Sequence, residues 1–330
     1  MTGRSGVVRG VFLAGPAVVL AGCGSSQSTL APHSGPAHDI DTLWWVMLVG
    51  STIVFGVVTT LVLVGALRRR GERPPVQTDT PLARRLVLWG GALVPLVVLV
   101  ALFAFVLRTL PSTSSAQASK GRLTIRVIGH QWFWEIRYPG AGVVTANELH
   151  IPIGVPVRIE ARTADVIHSF WVPALNRKID MIPGKDNEIL LETDRAGTYR
   201  GQCAEFCGLE HALMAFFVVA QPPDRFRAWL THEQLAASGG PKQGREVFMS
   251  SGCGGCHTIR GTGAIGRYAP DLTHVGSRST LAAGTIPNTR AELRRWIRDP
   301  QHVKPGNKMP ALGLTDEQID ALIDYLESLK

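Results

Sequence analysis

The sequence predicts a multidomain chain in three parts: a two-helix transmembrane hairpin, an all-β Greek-key barrel or sandwich, and a small all-α domain. Three observations carry that reading. Uncharged apolar runs fill 43–67 and 86–107. Short Val-, Ile- and Thr-rich runs, punctuated by Gly, Pro, Asp and Asn, follow as far as residue 203. After the Gly-containing stretch 237–243 the pattern turns helical.

Taken in order, residues 1–22 resemble an export signal, with Arg4 and Arg9 ahead of the apolar run "VFLAGPAVVLA". The run ends in "LAGC", which resembles a bacterial lipoprotein signal and makes Cys23 the first mature residue and the site of lipid attachment. An ordinary signal with an incidental cysteine is the alternative. Segment 23–110 then holds the two spans. As helices they would measure about 37 Å and about 33 Å, enough to cross a bilayer. Pro95 in the second is tolerable in a membrane helix.

Between the spans, Arg68, Arg69, Arg70, Arg73, Arg84 and Arg85 outweigh Glu72 and Asp79. This bias places the loop in the cytoplasm and everything after the second span outside the cell membrane. The net charge of +8 is thus partly topological, and nucleic acid is a poor candidate partner. Neither span contains a histidine, so no haem or copper centre can be built inside them.

Residues 111–236 are predicted as the β domain. A polar linker (111–121) precedes the runs "LTIRVIG", "VVTANELHIP", "VPVRIEART", "NEILLET" and "YRGQC", and "PPDRFRAWLTHEQLAA" reads as a closing helix. Linker 237–243 leads into the last domain, 244–330, where "NTRAELRRWIRDP" and "TDEQIDALIDYLESL" have helical periodicity and a Thr cap opens the latter.

The remaining four cysteines come in two pairs. In an exported chain, disulfides are the default for such pairs. "CGGCH", however, has the spacing for covalent haem attachment: Cys253 and Cys256 add to the vinyl groups and His257 takes one axial position. A thioredoxin-like motif fits less well, because no βαβ pattern surrounds it. Met309 in "GNKMP" supplies a second axial ligand, which raises the haem potential. These segments resemble a class I cytochrome c domain. The resemblance implies that Pro270 packs near and orders His257, and that Trp296 lies close to the haem edge.

The other pair lies in "CAEFCGLEHALM", spaced C-x-E-x-C-x3-H-x2-M. Thiolate and thioether are soft donors suited to Cu(I), and imidazole suits both copper oxidation states. One Cys, His211, Met214 and a second His would make a mononuclear site, with His168 in "DVIHSFWVP" as the candidate. Two thiolates could instead bridge two copper ions, and a Cys203–Cys207 disulfide in a tight loop is the plain alternative.

The stretch resembles the copper-A loop of cytochrome c oxidase subunit II, and so do "GHQWFWEIRYPG", "DVIHSFWVPALNRKIDMIPG" and the two-span N-terminus. The resemblance implies a cupredoxin-like β domain in which Cys203 and Cys207 bridge a dinuclear copper. His168 and His211 would each terminate one copper, Met214 would be the thioether ligand, and Glu205 would lend its carbonyl. It further implies that the Glu205 carboxylate faces a magnesium ion at the boundary with the catalytic subunit, and that Trp132 is where the electron enters.

With the haem domain, the whole resembles subunit II of a caa-type oxidase. The implied partners are the haem–copper subunit I, further oxidase subunits, membrane lipid and an external donor, either a cytochrome c or a cytochrome bc complex. A stand-alone carrier or a nitrous-oxide-reducing enzyme could share the copper loop, but the membrane hairpin argues against both. The non-redox subunit II of quinol oxidases lacks the ligands present here. One departure is that "LARRLVLWGG", opening the second span, has no Glu for proton uptake. Finally, strand alternation would put Trp132 and Trp134 on one face and Phe133 on the other. His130 and His150 read as ordinary strand residues.

Overall fold

The computed structural model describes residues 27–68, 80–113, 115–237 and 239–330. The signal segment, Cys23 and most of the basic loop between the spans lie outside the described residues. The chain divides into two compact units, His38–Ser114 and the remainder.

The first unit contains two helices long and apolar enough to cross a membrane, Gly35–Arg68 (α1) and Pro81–Pro111. Apolar side chains such as Phe55, Leu61, Leu99 and Phe103 are exposed along both. A surface apolar all round suits lipid rather than water. The second span is not one regular helix. Pro81–Leu88 (α2) passes through a π segment, Trp89–Leu93, into Val94–Thr113 (α3). A proline ring clashes with the carbonyl four residues before it, here that of Gly91, and the wider turn falls at that point. The polar stretch at 111–121 is not an irregular linker: α3 runs through Thr113, and Ser115–Lys120 forms a 3-10 helix.

In the second unit, two five-stranded sheets pack face to face. One has the order β3 (Val143–Ala146), β2 (Phe133–Tyr138), β1 (Leu123–His130), β5 (Val157–Thr163), β8 (Asn187–Leu191). The other runs β4 (Glu148–Pro152), β10 (Ala215–Gln221), β9 (Gly197–Cys203), β6 (His168–Trp171), β7 (Ile179–Met181). Most pairings are antiparallel, while β1 with β5 and β10 with β4 are parallel. Alternate residues such as Ile125, Val127, Ile159, Ala161, Tyr199 and Val218 point into one shared core.

The run "VVTANELHIP" is two strands in different sheets. Asn147 turns the chain between them at φ 63°, a conformation Asn tolerates better than most residues. Its Oδ1 accepts the Trp134 backbone N–H at 2.9 Å, and its own N–H donates to the Trp134 carbonyl, also at 2.9 Å. Helix α4 (Pro223–Glu233) closes the domain, burying Phe226 against Tyr138.

The aromatic alternation expected at 132–134 does not hold. Trp132 sits in the tight turn between β1 and β2, and the strand begins at Phe133. Phe133 and Trp134 are both buried, Phe133 stacked 4.5 Å from His130 and Trp134 packed on Phe216. His150 stacks 4.0 Å from Trp229.

The last domain is built from α5 (Lys242–Ser250), α6 (Cys253–Cys256), α7 (Arg290–Arg298), α8 (Pro300–Val303) and α9 (Asp316–Ser328) around a second apolar core. Thr315 caps α9 in a full capping box with Gln318. Helices α5 and α9 cross where Gly244 lies so close to Ala321 that a Cβ would meet its carbonyl.

Candidate functional site

Strand β9 ends at Cys203, and the loop it opens returns through a 3-10 turn (His211–Leu213) to β10. Two hydrogen bonds fix its base: Cys203 N–H to the Met214 carbonyl at 2.9 Å, and Ala204 N–H to the Ser169 carbonyl at 3.1 Å. These bring His168 of β6 against the loop. The two sulfurs stand 3.7 Å apart as free thiols. His168 Nδ1 lies 3.8 Å from Cys203, and His211 Nδ1 lies 3.7 Å from Cys207. Met214 Sδ is 3.8 Å from Cys207, and the Glu205 carbonyl is 3.1 Å from Cys203.

These spacings fit a shared metal centre. With metal–sulfur bonds of about 2.3 Å, as in zinc–thiolate sites, two sulfurs on one tetrahedral ion lie about 3.8 Å apart. A disulfide would need about 2.05 Å. The hydrogen bond shared with Cys207, and then His168, hold the Cys203 thiolate far below the usual thiol range, at about 3, against the effect of burial. The Cys207 thiol is pushed up, first by that same bond and then by burial. The pair therefore keeps one proton, which incoming metal charge would expel.

His168 is fully buried, and its Nε2 lies 2.9 Å from Asp165 Oδ1. A carboxylate accepts, so the ring proton sits on Nε2 and Nδ1 keeps its lone pair for a metal. Burial opposes the Asp165 charge. Hydrogen bonds from His168 and from the backbone N–H groups of Gln131 and Val166 overcome it and hold the carboxyl at about 2. Gly129 makes room for the ring, since a Cβ there would stand 2.9 Å from His168. Asp165 was not singled out from the sequence, although its place three residues before His168 is the available signal. The Glu205 carboxylate points elsewhere, 3.5 Å from Lys178.

In the last domain, Cys253 is half-buried, Cys256 is exposed, and both thiols are free. With His257, Met309 and Trp296 they line a cavity of about 570 Å³. His257 Nδ1 lies 2.7 Å from the Pro270 carbonyl, which can only accept. Pro270 thus orders the ring through its carbonyl and leaves Nε2 as the ligating nitrogen. Burial lowers the His257 pKa, favouring the neutral form a metal needs. The Met309 loop is pinned by Asn307, whose Oδ1 accepts the Met309 N–H at 2.8 Å. Size and donors fit a haem that Cys253, Cys256, His257 and Met309 would hold.

Trp132 and Phe133 line the same cavity from the β domain. The Trp132 indole N–H donates to the Cys207 carbonyl at 3.0 Å, and the Lys308 ammonium lies 5.8 Å from its ring. Beneath Trp132, Gly208 turns the loop at φ 113°, where a Cβ would stand 3.0 Å from the Trp132 ring. Beside it the buried Lys304 donates to the Trp132 carbonyl at 3.0 Å and the Ala282 carbonyl at 3.4 Å, and pairs with buried Glu210 at 3.7 Å. Glu148 adds a second tie, accepting from the Ser279 N–H at 2.6 Å and hydroxyl at 2.5 Å. The Lys304–Glu210 and Glu148–Ser279 pairs join two domains far apart in sequence and carry no local motif.

Residues 141–221 match the family "Cytochrome C oxidase subunit II, periplasmic domain", and 241–330 match "Cytochrome c". Cytochrome c oxidase subunit 2 of Alkalihalophilus pseudofirmus is 43% identical over 62% of this chain and 61% of its own length, so the chain spans under two thirds of that relative. The subunits 2 of Bacillus sp. PS3 and Bacillus subtilis are 34% and 32% identical, each alignment covering 95% of both chains. The crystal structure of the periplasmic domain of subunit II (CoxB) of Bradyrhizobium japonicum shares 32% identity over 35% of this chain and 95% of that chain, with a TM-score of 0.34. A copper-loop domain continued by a haem-type domain, matched end to end by the Bacillus proteins, places this chain in the cytochrome c oxidase subunit II family, in the form that carries a fused C-terminal cytochrome c domain.

Proposed function

We propose that the chain is the electron-accepting subunit of a caa-type haem–copper oxidase. It relays electrons from an external donor, through haem c and dinuclear copper A, to the subunit that reduces oxygen and pumps protons. The observation that carries this reading is that Trp132 touches both sites, lining the His257–Met309 cavity while its indole N–H holds the Cys207 carbonyl.

Haem and copper bound there would each accept and pass on single electrons. The chain's own residues supply the setting. Cys253 and Cys256 would anchor the haem, His257 and Met309 would ligate its iron, and Pro270 fixes the imidazole. Cys203, Cys207, His168, His211, Met214 and the Glu205 carbonyl would hold copper. Asp165 keeps His168 in its ligating tautomer, and the aromatic packing of Trp134, Phe170 and Phe216 behind the site keeps water away. A rigid, dry donor set lets the metal change charge with little rearrangement of the protein.

Phe206 and Leu209, exposed on the copper loop, suit burial against subunit I. A magnesium ion at that boundary would displace Lys178 from Glu205 and draw its other ligands from the partner. The positive-inside bias puts the basic loop in the cytoplasm and both redox domains outside the bacterial cell membrane.

The test is metal analysis of the purified full-length chain after haem maturation and copper loading. Two copper ions and one covalent haem per chain are expected. A Cys203–Cys207 disulfide in active, copper-replete oxidase would overturn the assignment.

A further inference from the structure

A third group of ligating side chains lies away from both redox sites. His232 and Glu233 end helix α4 of the β domain, and His274 comes from the haem domain. One ligand atom from each lies within 4.8 Å of the other two. The rings of His232 and His274 are 5.0 Å apart, tilted by 52°. None of the three lines the haem cavity.

His274 has one bonded and one unbonded ring nitrogen. The residue is 4% exposed, and its Nε2 lies 3.1 Å from the Leu235 carbonyl. A carbonyl only accepts, so Nε2 carries the proton and Nδ1 presents a lone pair. That Nδ1 is buried and has no hydrogen-bond partner. A ring held by one N–H on a backbone carbonyl, with the other nitrogen bare, is how metal-ligating histidines are usually set. A buried acceptor left unpaired is otherwise unfavourable.

We infer that His232, Glu233 and His274 form a metal site for a zinc-class divalent cation that ties the closing helix of the copper domain to the haem domain. Two imidazoles and a carboxylate are a donor set zinc accepts readily, and the exposed side of His232 leaves a fourth position for water. Glu233 is 4% exposed. Arg260 and Arg278 face it: Arg260 donates to the Glu233 and Gln234 carbonyls, and Arg278 to the Asp271 carbonyl and the Thr145 hydroxyl. Burial pushes the Glu233 carboxyl up, only partly offset by these charges, which also repel a cation, so the site is weaker than a closed structural zinc site. An ion held from both sides raises the docked-to-undocked ratio by mass action, about 100-fold at a hundred times its dissociation constant.

The test uses the full-length holoprotein, stripped with chelator and titrated with zinc chloride. Absorption at the zinc edge reads the ion without interference from haem iron or copper. The expected result is one saturable zinc per haem with a nitrogen and oxygen shell including imidazole. His274→Gln should weaken it at least tenfold. So should His232→Ala, which changes an exposed side chain and leaves the fold intact. Copper and haem contents should stay constant in both. No saturable uptake, sulfur in the zinc shell, or unchanged affinity in His232→Ala would overturn the inference. Because neither variant touches a redox ligand, these outcomes leave the electron-relay proposal untouched.

Discussion

Lys304→Met is the perturbation that most directly probes how the haem domain is seated above the copper loop. Lys304 and Glu210 are 2% and 1% exposed, and their charges meet at 3.7 Å across the junction. Removing one member of a buried pair strands the other charge, at a cost of about 3–5 kcal/mol. Methionine fills much of the volume of the lysine stem, so the loss is mainly electrostatic. It comprises the ion pair and the two hydrogen bonds to the Trp132 and Ala282 carbonyls. Burial already pushes the Glu210 carboxyl up, so it can escape by taking a proton, which favours the lower figure.

About 3 kcal/mol is roughly a hundredfold in the docked-to-undocked ratio. Adding Glu210→Gln should restore most of that, because replacing both members of a buried pair is near neutral. The assay is flash reduction of the haem with copper absorbance followed in time. Metal and haem contents serve as controls, since Glu210 adjoins His211. The single variant should slow transfer at least tenfold and the double variant should recover. Equal loss in both, or none in either, would refute the role given to the pair.

Three further outcomes follow from the same geometry. Asp165→Asn, which weakens the hold on His168 Nε2, should lower copper affinity about 10- to 100-fold, measured by competition with a copper chelator. Cys203→Ser should abolish the copper-A absorption while leaving the haem band intact, because the two ligand sets share no residue. Trp132→Gln should leave both spectra unchanged and slow haem-to-copper transfer at least tenfold in flash reduction.

Much of this was legible because the ligands are local. "CGGCH" and "CAEFCGLEHALM" each place their donors within one turn or loop, where spacing alone constrains geometry. Both spans were legible from apolar length, although the helix of the first starts well before the apolar run and the second contains a π segment. The break at Asn147 was not legible, because the residues on either side continue the same apolar pattern while the chain changes sheets. Alternation misled at Trp132 because it was carried through a turn, where the two-residue period no longer applies. Asp165, Lys304 and Glu210 act through partners distant in sequence or through the orientation of a ring, and no composition or period records those.

The central claim is that one chain carries an electron from its own haem to its own copper. The measurement that tests it most directly is the rate of copper reduction after a flash that reduces the haem, over a wide range of protein concentrations. The account predicts a single rate independent of concentration, because the donor cavity and the copper loop share Trp132 within one molecule. A rate rising in proportion to concentration would mean that electrons cross between molecules, and would contradict it.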